Sequence, residues 1–139
     1  MSELKVSHRY PFPPEKVFDA WLDPKVARRF LFATPTGEMI RADVDPRVGG
    51  RFIFVDRRPD TGDVEHVGEY VEIDRPRRLV FTFAVPQYDP GNTTVTLTFA
   101  PDGDGCVVVL SHAGVLEEWV KQTVQGWTMI LASLETALS

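Results

Sequence analysis

Hydrophobic and polar residues alternate along this chain with two different periods, and the change of period divides it into elements. Near the start, Leu4, Val6 and His8 alternate with Lys5, Ser7 and Arg9, which predicts a first strand. Pro11, Pro13 and Pro14 break the pattern. Pro14 suits the first turn of a helix, and PEKVFDAWLD (14–23) carries Val17, Phe18, Trp21 and Leu22 at helical spacing. Asp23-Pro24 stops that helix and opens a second short one reaching Phe30. Helices this short do not hold together alone in water, so both must pack on the body of the fold.

From Met39 the period becomes two. MIRADVD, RFIFVD, VEHVGEYVEI, RLVFTFAV, TTVTLTFA and CVVVLSHA read as six successive strands. Turn residues fill 46–50, 59–63, 74–76 and 102–105, and a longer loop is expected over 88–92. Short links between consecutive strands imply an antiparallel meander. Gly49-Gly50 is followed by a strand rather than a helix N-terminus, so it serves a turn and is no phosphate cradle.

Alternation also sorts the strand faces. Phe52 and Phe54 share one, as do Leu79, Phe81, Phe83 and Val85; so do Val95, Leu97 and Phe99, and likewise Val108, Leu110 and His112. Together they predict an apolar, aromatic-rich inner surface. The one long helical pattern follows at 115–138. Leu116, Trp119, Val120, Thr123, Val124, Trp127, Ile130 or Leu131, Leu134 and Leu138 recur every three to four residues, with Glu117, Lys121, Gln125 and Glu135 opposite. A long helix laid over an antiparallel sheet can leave a cavity between them.

Composition narrows the function classes. The 139 residues read as a single domain over 1–139 with an ordinary 43% hydrophobic content. A net charge of −5 argues against nucleic acid, and Arg28-Arg29, Arg57-Arg58 and Arg77-Arg78 read as solvated turn residues. Cys106 stands alone, so no internal disulfide forms, and MSELKVSHRY lacks the features of a signal peptide. No apolar run approaches the roughly 18 residues of a membrane span. A cytoplasmic location is the expectation.

The order of elements resembles the helix-grip fold of the START/Bet v 1-like (SRPBCC) superfamily: an α+β fold with a curved antiparallel sheet of about seven strands, two short helices after the first strand and a long C-terminal helix over the sheet. The segments PPEKVFDAWLDP (13–24), DPRVGGRFIF (45–54), GEYVEIDRPRRLVFTF (68–83), LSHAG (110–114) and GWTMILASLETAL (126–138) resemble the family named for the C-terminal domain of the activator of Hsp90 ATPase. Members often carry a tryptophan pair after the second short helix; here the stretch reads Arg29-Phe30-Leu31-Phe32. The resemblance implies a cavity beneath the terminal helix that takes lipids, hormones, polyketides or other hydrophobic molecules, and in some members performs cyclisation.

The residues that face such a cavity are Phe52, Phe54, Tyr70, Phe81, Phe83, Leu97, Phe99, Leu110, His112, Trp119, Thr123, Trp127 and Leu131. His112 is either a donor or base to a ligand or a partly buried structural histidine bonded to backbone, and the structural role is favoured two to one. Cys106 and His112 lie about 20 Å apart along one strand and make no dyad. Gly126 either admits a strand closely or bends the helix. Arg41 and Asp43 share a face and are read as surface charges. His8, His66 and His112 lack metal-ligand spacing, and no catalytic set assembles, so no metal, cofactor or catalytic residue is assigned. The leading function is non-enzymatic binding of a small hydrophobic or amphipathic molecule. A cyclase or hydrolase using the same cavity and a chaperone-cofactor-like interaction module are the alternatives, and a weak homodimer is compatible with either.

Overall fold

The computed structural model describes residues 2–34, 36–86 and 89–139, with backbone alone at 2 and 89–92. Strand β1 (Ser2–Tyr10) leads into helices α1 (Pro14–Leu22) and α2 (Pro24–Phe30). Six strands follow: β2 (Glu38–Val44), β3 (Arg51–Arg58), β4 (Gly62–Asp74), β5 (Arg78–Val85), β6 (Asp89–Asp102) and β7 (Gly105–Val115). A turn of 3-10 helix (Glu117–Trp119) then precedes α3 (Val120–Leu138). This is the α+β helix-grip arrangement: a seven-stranded, curved antiparallel sheet gripped by one long helix.

Proline and aspartate chemistry delimits the short helices. Pro14 occupies the first turn of α1, where its missing N–H costs nothing. The Asp23 carboxylate accepts the Lys25 backbone N–H at 3.0 Å and so caps α2. Val17, Phe18 and Trp21 of α1 and Ala27 and Phe30 of α2 are buried, which is how helices of this length persist.

The sheet order is β1-β7-β6-β5-β4-β3-β2. Six strands form the expected meander. The first strand crosses to the far edge and pairs antiparallel with the last, Leu4 opposite His112 and Tyr10 opposite Cys106. Register shifts at Met39/Arg41, Tyr70/Glu72 and Phe83/Val85 bend the sheet around its contents. Most of the inward faces read from alternation are buried: Phe52, Phe54, Leu79, Phe81, Val95, Leu97, Phe99, Val108, Leu110 and His112, while Phe83 and Val85, at the register shift in β5, are half-buried. The Arg41–Asp43 pair lies on the surface at 2.6 Å.

Three local expectations are corrected. Val115 is the last residue of β7, paired with Ser2, so α3 begins at Val120 after the tighter turn rather than at 115. The ladder supplies that β-branched residue with partners that a helix would have to replace. Of the loop expected over 88–92, Tyr88 lies outside the described residues, and from Asp89 the backbone is already strand because Val85 pairs with it. Of the two roles read for Gly126, close approach of a strand is not seen among the described residues, since a Cβ there would have nothing within 4 Å.

Candidate functional site

Most of the space beneath α3 is filled. Phe18 packs edge-on against Phe99 with centroids 5.1 Å apart, and Phe52 against Phe81 at 5.3 Å. Tyr70 lies beside Phe52 and Phe81, and burial pushes its hydroxyl above the ordinary tyrosine range. Tyr70, Phe52, Phe54, Phe81, Leu97, Phe99, Leu110 and Leu131 are thus buried side chains of one packed core.

One end remains open. A cleft of about 360 Å³ runs between the first half of α3 and the ends of β3, β4 and β5. Gln122, Thr123, Gly126, Trp127, Met129 and Ile130 form its helical wall. Arg58, Val64, His66, Phe83 and Val85 come from the sheet, and Phe32, Ala33 and Thr34 from the segment after α2. The lining is mostly apolar. Of the cavity residues expected from the sequence, Phe83, Thr123 and Trp127 line this cleft. His112 stands one layer behind it through its bond to Trp127. Trp119 is outside it, in the 3-10 turn and 41% exposed. The tighter turn breaks the eight-residue helical spacing that had put Trp119 in line with Trp127.

Phe32 organises the aromatic wall. Its backbone sits in the left-handed region at φ 60°, a conformation that costs a non-glycine residue about 1–2 kcal/mol. The ring recovers this through packing. It stacks on His66 at 4.4 Å and 8°, lies parallel to Phe83 at 5.0 Å and 5°, and meets Trp127 edge-on at 5.8 Å. Periodicity gave no sign of Phe32, because it belongs to no strand or helix.

Behind the wall, hydrogen bonds determine the state of His112. The indole of Trp127 can only donate, and its Nε1–H reaches His112 Nδ1 at 3.0 Å. His112 Nε2 therefore carries the proton and donates to Thr93 Oγ1 at 2.6 Å, and the Thr93 hydroxyl donates to the Phe83 carbonyl at 2.9 Å. Burial lowers the pKa of His112 to about 4, so it is neutral near pH 7 with both nitrogens engaged. Both partners are side chains, where the sequence reading had expected backbone. This relay fixes Trp127 against the cleft. His66 Nδ1 lies 3.3 Å from the Phe54 carbonyl. Burial lowers its pKa to about 4 as well, with Arg58 adding to that effect and Asp56 opposing it.

The cavity set read from the sequence did not include Thr34, Arg58, His66, Gln122, Gly126 or Met129, and Arg58, read there as a solvated turn residue, is half-buried against Asp56. A signal for Arg58 existed. The alternation that turns Phe52 and Phe54 inward continues through Asp56 to Arg58, and Asp56 is fully buried. Among the described residues no three His, Cys, Asp or Glu side chains gather as a metal site would need. No helix among them is long and apolar enough to cross a membrane.

The whole-chain arrangement matches known relatives. The profile of the family described as activator of Hsp90 ATPase homolog 1-like protein matches residues 11–139. The chain belongs to that family. Among solved structures, protein CV1439 from Chromobacterium violaceum is similar at 22% identity and TM-score 0.86, covering 98% of this chain and 96% of that one. The AHSA1-like protein from Aeromonas hydrophila is 25% identical with TM-score 0.80, covering 97% and 92%. CalU16 from Micromonospora echinospora is also 25% identical, with TM-score 0.73, covering 99% of this chain and 76% of that one. No curated protein matches the sequence. At the level of the family, the fold is that of a ligand-binding or interaction module.

Proposed function

We propose that this protein is a non-enzymatic binding module that holds a small apolar or amphipathic molecule in the cleft under the first half of α3. The observation that carries the reading is the cleft itself: a mostly apolar recess walled by Phe32, Phe83 and Trp127 at one end of an otherwise packed interface. Its volume sits at the lower end of the roughly 300–1,000 Å³ common for small-molecule sites. The aromatic walls are held in place before any ligand arrives, Trp127 by His112 and Phe32 by its parallel neighbours. Preorganisation of this kind lowers the ordering cost of binding. Neither nitrogen of His112 is free to act as a base, which favours binding over catalysis.

The test compares the native chain with Gly126→Phe. Gly126 faces open space, so the new ring fills the cleft without displacing the core. Native mass spectrometry and thermal shifts against a panel of apolar metabolites should show a ligand that stabilises the native chain and not the variant. A panel in which no member shifts the native chain, or every member shifts both proteins alike, sinks the reading.

A further inference from the structure

A charged pair interrupts the inward face of β3 where every preceding inward residue is aromatic. Asp56 is wholly buried, and Arg58, two residues on, reaches the cleft wall with about a quarter of its side chain exposed (27%). The Asp56 Oδ2 accepts two hydrogen bonds, from Thr34 Oγ1 at 2.8 Å and from Arg58 Nε at 3.0 Å. Gly37 also lies tight against this carboxylate: a Cβ there would come within 2.6 Å of it. Asp56 Oδ1 has no hydrogen-bond partner among the described residues. Such a buried pair is poor value as a stabiliser, since desolvation commonly cancels the attraction. Its geometry does something else. It fixes one edge of the Arg58 guanidinium.

Arginine has five N–H donors in a rigid fork, and the bond to Asp56 uses the one on Nε. Among the described residues, Arg58 is also the only lining residue with a formal charge near neutral pH, the buried His66 being uncharged. Gln122 and Thr123 bring further polar groups from the helical wall. The remainder of the recess offers flat rings, with Phe32, His66 and Phe83 nearly parallel. Such faces suit a planar apolar body, and a guanidinium beside them suits a carboxylate.

We propose that the cleft takes a small aromatic carboxylic acid, its ring on the aromatic wall and its carboxylate on the Arg58 guanidinium, with Asp56 and Thr34 acting as positioning residues. This rests on the binding reading above and narrows it to a ligand class. With about a quarter of the Arg58 side chain exposed, the ion pair is screened less by solvent than one on open surface.

Matched probes separate the two levels. Isothermal titration calorimetry would use 2-naphthoic, 4-phenylbenzoic and 3-phenylpropanoic acids, each beside its primary amide, on the full chain. At least one acid should bind ten-fold or more tightly than its amide. In the double variant Asp56→Asn/Arg58→Gln, which removes both charges so that neither is left buried alone, that preference should shrink to within about two-fold while amide binding persists. Persistent amide binding also reports that the variant's cleft is folded. Amides that bind the native chain as well as acids overturn the acid inference and leave cleft binding standing. An acid preference that survives the double variant overturns the assignment to Arg58. If no probe of either kind binds, the acid inference falls, and the binding reading is decided by the wider metabolite panel.

Discussion

The two halves of α3 cover the same sheet by different means. The second half is closed against the sheet. Leu131 and Leu134 are fully buried, the Tyr10 hydroxyl donates to the Leu131 carbonyl at 2.7 Å, and His8 Nε2 meets Glu135 at 2.8 Å. The first half is open. It presents Gly126, which has nothing near its missing Cβ, and Met129, which is 54% exposed, and its one deeply buried residue is Trp127. Aliphatic side chains collapse onto neighbours and leave no space, whereas rigid rings held by hydrogen bonds can line a space without filling it. The closed half anchors the helix, and the open half is available for a ligand.

The largest effect should come from breaking the closed half. Leu134→Ala removes a wholly buried side chain and should destabilise the protein by about 2–5 kcal/mol in urea unfolding, with cleft binding retained in the folded fraction. Ile130→Ala, half-buried at the cleft, should cost less than half as much. Equal losses at the two sites would erase the distinction between the halves.

The pH dependence of stability should come next, and it belongs to the open half. His66 and His112 have folded pKa values near 4, below the ordinary 6.5, so the unfolded chain takes up protons first as pH falls. Their contribution is complete above about pH 6.5 and is lost progressively down to about pH 4, on the order of 3 kcal/mol for each. His66→Phe keeps a ring beside Phe32 and should flatten the profile in that window by roughly one histidine's share. Unfolding midpoints that do not change between pH 7 and 4.5 would show that these rings are not held neutral.

Two smaller changes sharpen the contrast. Tyr10→Phe deletes the hydroxyl that ties β1 to α3 and should cost about 1 kcal/mol while leaving ligand affinity unchanged. Gly126→Ala should do the reverse. It should stabilise the helix by up to about 1 kcal/mol, because there is open space for the methyl, while weakening binding in the cleft it narrows. A loss of stability there would mean that the position is more crowded than the open half requires.

Much of the fold was legible before any coordinates. The alternation of Leu79, Phe81 and Phe83, of Val95, Leu97 and Phe99, and of Val108, Leu110 and His112 reports which face is buried, because successive strand residues point to opposite sides. The turn residues delimit the strands, and Pro14 and Asp23-Pro24 delimit the short helices for equally local reasons. The site was less legible. Periodicity says that Phe52, Leu110 and Leu131 are inside, but not that they fill the interior rather than line a space. That depends on how side chains distant in sequence fit together.

The residues that shape the cleft show the same division. Trp127 could be placed on the inner face of the helix from its spacing, but its partnership with His112 and Thr93 required three separate elements to meet. Phe32 takes its position from a left-handed backbone in a connecting segment, and Arg58 from a carboxylate buried beneath a loop. The sequence by itself determined the order of elements and the faces they bury, because those follow from hydrogen bonding and burial within short stretches, whereas the helix-grip architecture was implied by the family resemblance. Tertiary structure alone decided that β1 closes the sheet beside β7, and that one half of α3 is sealed against the sheet while the other is open. Those features rest on contacts between distant segments, and no local period records them.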